Sequence, residues 1–150
     1  MRWIAILFLA IMSGCVGVSK EGIVKVLPHY LDEEGRHSDG PSLLHRDIYQ
    51  KKLREEPSLI NALRFDIKWR GSGLEAETAK LRVEVRSSKA GVPQQVFEQK
   101  IKPVGSANWT GVLVDDKEYK EIGKMESWRV TLVPSDDIDK KLAEQKSFLW

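Results

Sequence analysis

The sequence predicts a mainly β domain, an antiparallel sandwich of about seven strands with one inserted helix near residues 42–56. Three observations lead there. Leu63, Phe65, Ile67 and Trp69 alternate with Arg64, Asp66, Lys68 and Arg70, the period of a strand with one buried and one wet face. The alternation recurs at Leu81, Val83 and Val85, and at Trp128, Val130 and Leu132. Turn-forming Gly, Pro and Asp separate these stretches at short intervals, with none of the strand–helix rhythm of a parallel sheet.

Ile23 to Leu27 reads as the first strand, closed by Pro28. His29 to Pro41 is polar, rich in Gly and Asp, and is expected to be a loop. Residues 42–56 form the helix candidate. Ser42 is placed to cap it, and Pro57 stops it. Leu44 and Ile48, with Tyr49 and Leu53 alongside, are expected to form one apolar stripe, leaving Arg46, Gln50, Lys51 and Arg54 wet. The strand around Leu63 to Trp69 follows, turned by Gly71-Ser72-Gly73, then the strand around Leu81 to Val85. Gln95 to Lys102 is a weaker strand with Phe97 and Ile101 inward. Trp109 to Val114 is another, and Asp115 to Met125 is a charged connection with one helical turn around Tyr119. Trp128 to Leu132 is the sixth strand. After an aspartate-rich turn, Leu142 to Leu149 pairs back as a hairpin.

The number and order of these strands resemble a fibronectin type III or immunoglobulin-like sandwich from about Ile23 to Leu149. The likeness is architectural. The immunoglobulin disulfide is absent, since the chain has one cysteine, and the inserted helix departs from the simple pattern. The helix is expected to cover an open end or edge.

The lone cysteine, Cys15, closes a segment of different character. Arg2 supplies a positive charge, Trp3 to Met12 are apolar, and small Ser13 and Gly14 precede the thiol. An apolar run of about 7–15 residues before small residues is a secretory signal, and it is shorter than the roughly 20 residues that span a bilayer. Met12-Ser13-Gly14-Cys15 resembles the lipobox of bacterial lipoproteins. The resemblance implies cleavage before Cys15, a diacylglyceryl group on its sulfur and an acyl chain such as palmitate on its new amino group. It places residues 1–14 as signal peptide, 15–21 as lipidated cysteine and short tether, and 22–150 as the domain. Several acyl chains anchor stably, at about 0.8 kcal/mol per buried CH₂. Val16 stands where an aspartate retains some such proteins at the inner membrane, so the periplasmic face of the outer membrane is favoured in a Gram-negative cell. The tether reaches only about 20 Å when extended.

The rest bounds function by elimination. About 135 residues remain after cleavage, enough for one domain. The formal charge of +2 falls to +1 when Arg2 is removed, which gives no electrostatic case for nucleic acid. With Cys15 committed to lipid, the domain has no disulfide, thiol nucleophile or cysteine-ligated metal. No G-x-S-x-G, P-loop, H-E-x-x-H or C-x-x-C occurs, so no catalytic residue and no cofactor is assigned. Asp136, Asp137 and Asp139 lack the order of a calcium loop and are expected to form a turn.

Two further features bear on partners. His29, His37 and His45 lie in or beside one loop at spacings of eight. That spacing does not suit a helical metal site, and no metal is assigned. The residues mark a partner-binding loop, because long irregular loops are often functional. Tryptophans test for a sugar platform. Parity places Trp69 and Trp128 in the core and leaves Trp109 and Trp150 open. The expected function is therefore a lipid-anchored, non-enzymatic interaction or structural module of the cell envelope, bound to membrane and to another envelope protein or a polysaccharide. A carbohydrate-binding module needs two coplanar exposed rings on one face. A small envelope hydrolase needs a cleft with converging polar groups.

Overall fold

The computed structural model describes residues 21–71, 79–137 and 139–150. The expected signal peptide, Cys15 and most of the expected tether lie outside them, as do Ser72 and Gly73 of the first expected turn. Among the described residues, seven strands form two antiparallel sheets. They are β1 (Glu21–Leu31), β2 (Ala62–Gly71), β3 (Ala79–Ser87), β4 (Gln95–Ile101), β5 (Asn108–Val114), β6 (Met125–Pro134) and β7 (Ala143–Lys146). One sheet has the order β1-β2-β5, the other β4-β3-β6-β7. An immunoglobulin constant domain keeps its fourth strand beside the fifth; here β4 pairs with β3.

Strand alternation builds the core. Phe65, Ile67 and Trp69 of β2 face Leu81, Val83 and Val85 of β3 and Val130 and Leu132 of β6, all 1% exposed or less. Burying each such side chain stabilises by roughly 1.5–3 kcal/mol. The Trp69 indole satisfies its one polar group by donating Nε1–H to Thr110 Oγ1 at 2.9 Å. Trp128, expected in the core, is half-buried at its margin and meets Phe65 edge-on, with ring centroids 6.2 Å apart.

Three boundaries differ from expectation. β1 does not stop at Pro28 but runs to Leu31. Proline lacks only the donor and is tolerated in an edge strand. β7 is short, because Ser147 to Trp150 leave the sheet. The charged connection after β5 holds a helix of two turns, α2 (Asp116–Ile122), after α1 (Leu43–Glu55) in chain order. A reciprocal capping box of Asp115 and Glu118 starts α2, and Gly123, with φ of 66°, ends it. Tyr119 and Ile122 join the core.

Helix α1 begins as expected at Ser42, whose Oγ accepts from the His45 amide at 3.2 Å. Its faces do not. Tyr49, Gln50 and Leu53 are buried, while Leu44 and Ile48 are 67% and 56% exposed. Helical geometry explains this, because the Leu44–Ile48 pair and the Tyr49–Leu53 pair lie about 140° apart around the axis. They are two stripes, and only one can face the sheet.

β1 enters beside the end of β2, with Glu21 opposite Gly71. The β4–β5 and β6–β7 connections lie at that same end. Helices α1 and α2 connect strands at the other end.

Candidate functional site

The loop singled out by histidines begins in a strand. His29 lies on the outer face of the three-stranded sheet, opposite Arg64, and is 6% exposed. Its Nδ1 donates to Asp66 Oδ2 at 2.9 Å. Asp66 also accepts from Arg64 Nε at 2.9 Å and Arg64 Nη2 at 3.0 Å. Burial alone pushes the Asp66 carboxyl up, but these donors outweigh it and hold it below the ordinary carboxylate range. The His37 ring covers His29, with centroids 4.9 Å apart and planes tilted by 33°. Burial, then the neighbouring His29 and Arg64, lower the pKa of His37.

His45 stands apart. Its Nδ1 is 2.6 Å from Ser42 Oγ, and its ring presses on Gly40, where an added Cβ falls 2.6 Å from His45 Cγ. The structure thus brings His29 and His37 together and leaves His45 at the start of α1. Among the described residues, no group of three or more His, Cys, Asp or Glu is arranged to hold a metal ion.

The loop is fastened by Asp32, Tyr49 and Gln50, of which Gln50 was expected on the wet side of α1. Asp32, 5% exposed, accepts from the Arg36 amide at 2.8 Å, from Arg36 Nε at 2.9 Å and from the Tyr49 hydroxyl. Burial opposes ionisation there, yet the Tyr49 and Arg36 donors lower its pKa to about 2. The buried Gln50 amide accepts from the Tyr30 amide and donates to the Tyr30 and His37 carbonyls, at 2.9, 2.9 and 3.0 Å. Tyr49 and Gln50 therefore lock α1 to β1 and to the loop. Beside its exposed charged residues, α1 then offers three large apolar side chains to solvent, namely Leu43, Leu44 and Ile48.

The outer face of the four-stranded sheet holds a second polar cluster. Glu84, 4% exposed, is opposite Arg129 on β6. It accepts from Arg129 Nε, from Arg129 Nη2 at 2.9 Å and from Gln94 Nε2 at 2.9 Å. The Arg129 hydrogen bonds outweigh burial and lower its pKa. A shallow groove of about 250 Å³ runs beside it, lined by Arg82, Thr131, Lys141 and Glu144 among others. Glu144 is likewise lowered, first by the Lys141 hydrogen bond. Both carboxylates are held ionised by cations, the reverse of the raised pKa that a general acid needs at neutral pH.

The open tryptophans lie on opposite sheets. Trp109, opposite Lys68 on the outer face of the three-stranded sheet, is 55% exposed, with the Lys68 ammonium 5.9 Å from its ring centroid. Trp150 lies against the four-stranded sheet, where the Arg86 and Arg129 guanidiniums stack over its ring at 3.9 and 4.7 Å. Trp150 belongs to no strand, so alternation does not place it, whereas Trp109 is the second residue of β5. Comparison with protein-family models, curated proteins and solved structures gives no match to this chain.

Proposed function

We propose that this chain is a lipid-anchored module of a cell envelope that acts by holding a partner and carries out no chemistry of its own. The observation that carries the reading is the segment ending in Met12-Ser13-Gly14-Cys15. Cys15 bears the lipid, and β1 starts at Glu21, so at most about 20 Å of chain separates anchor and sandwich. Strand β1 then carries the chain about 35 Å to the far end. The surface offered to a partner there is the His29–Pro41 loop with α1. Its framework is rigid, because Asp32, Tyr49 and Gln50 fasten it. Among its charged side chains it exposes three large apolar ones, Leu43, Leu44 and Ile48, a combination that suits a protein partner.

Lipidation is tested directly. Cells fed radiolabelled palmitate should label the wild-type chain and fail to label Cys15→Ser. Equal labelling of the two chains overturns the anchor.

A further inference from the structure

We propose that β5 pairs antiparallel with β5 of a second copy of this chain, Gly111 facing Gly111, to join two three-stranded sheets into one of six strands. Among the described residues β5 is hydrogen-bonded on one side only, to β2. A strand edge exposes a row of unpaired amide and carbonyl groups, and proteins blunt such edges with charge, proline, bulges or brevity. The other edges of this sandwich use those devices. β1 has a register break between Ile23 and Lys25 and carries Pro28. β4 carries Glu98 and Lys100. β7 has four residues, two of them charged. β5, Asn-Trp-Thr-Gly-Val-Leu-Val, has no charge and no proline, and its register with β2 is unbroken.

The side chains of β5 complement themselves. On the outer face, Trp109 and Leu113 are 55% and 54% exposed and flank Gly111. An antiparallel pair centred on Gly111 sets each Trp109 against Leu113 of the other copy, and Thr110 against Val112. Both exposed apolar side chains are then covered by one two-fold contact, with the same patch used on each copy. Other registers lose this match. Centring on Thr110 sets Trp109 against glycine, and centring on Val112 sets Leu113 against glycine and Trp109 against Asp115. Arg64 runs along the outer side of Gly111, where an added Cβ meets Arg64 Cδ and Asp66 Oδ1 at an ordinary 3.6 Å. The contact is small, and confinement to a membrane raises its occupancy through effective concentration. The outer faces of the paired sheets point the same way, so both anchors reach one membrane when that face lies along it.

The pairing brings two residues at position 111 within the roughly 4.5–5.5 Å Cα separation of opposed antiparallel residues, which suits a disulfide. The full chain carrying Gly111→Cys, oxidised mildly in its own membranes, should give about tenfold more covalent dimer than either wild type or Leu44→Cys. Wild type reports any free Cys15, so a failure of lipidation appears in that background and not in the comparison. Cross-linking of Gly111→Cys no greater than that of Leu44→Cys overturns the proposal. A second measurement needs no new thiol. Trp109→Asp, at an exposed site, should keep its circular dichroism and weaken dimerisation of the detergent-purified chain about tenfold in sedimentation equilibrium; an unchanged dimer constant equally overturns the pairing.

Discussion

Asp32 shows how much one buried carboxylate can organise. It gathers the Arg36 amide and guanidinium and the Tyr49 hydroxyl, and so joins loop to helix. Removing the hydroxyl with Tyr49→Phe leaves Oδ2 to the Arg36 guanidinium alone and takes away one hydrogen bond to a charged group, which should cost about 1.5–3 kcal/mol in urea unfolding. The pH dependence follows from the same contacts. The folded pKa of Asp32 is about 2, against an ordinary value of 3.8. Its contribution is full above the ordinary value and is lost as pH falls toward the folded one. Asp32→Asn should flatten that acid limb. His37 acts in a different window, because its folded pKa lies below the ordinary 6.5. Protons then bind the unfolded chain first, so stability falls as pH drops below that ordinary value. His37→Asn should remove this slope from the same titration. None of these partnerships was legible beforehand. Asp32 and Tyr49 are distant along the chain, and polar residues in a Gly-rich segment carry no local mark of burial.

At the scale of elements, the strands were legible and the helix face was not. Period two has a single solution, so Phe65, Ile67 and Trp69 could only lie on one side of β2. α1 carried two apolar pairs and one sheet to pack against, and spacing alone did not choose between them. Tyr49 and Leu53 won because Tyr49 also satisfies Asp32, and neighbouring Gln50 satisfies β1. This predicts opposite responses on one helix. Leu53→Ala should cost about 2–5 kcal/mol by opening a cavity. Leu44→Gln with Ile48→Gln should change stability by less than about 1 kcal/mol. Thermal unfolding followed by circular dichroism separates the two, and equal losses would mean that the outer stripe is buried in solution. The β1 boundary was missed for a related reason. Proline ends a strand only where its missing amide hydrogen was needed, which depends on neighbours that a local reading does not see.

Taken whole, the two sheets share one core with no cross-link inside it. Phe65 and Trp69 from one sheet interlock with Val83, Val85 and Val130 from the other, so neither sheet retains a buried face if the other leaves. Unfolding should therefore be a single transition. Tryptophan fluorescence, reporting the core through Trp69, and far-ultraviolet circular dichroism, reporting the strands, should give one midpoint. Two midpoints would show that the sheets separate before they melt. The sandwich class and the strand count were readable from alternation and turn residues. The partition into three and four strands was not, because pairing between distant strands is decided by contacts across the core and not by neighbours along the chain.

The course of β1 has a mechanical consequence. Traction between the residues before Glu21 and helix α1 is carried along β1 itself, parallel to its ladder with β2. Both grips then lie on one strand, so tension runs through its covalent backbone and does not ask the ladder with β2 to slide or to part. A chain tethered at one end of β1 and held at the other can therefore bear a pull without opening its sheet.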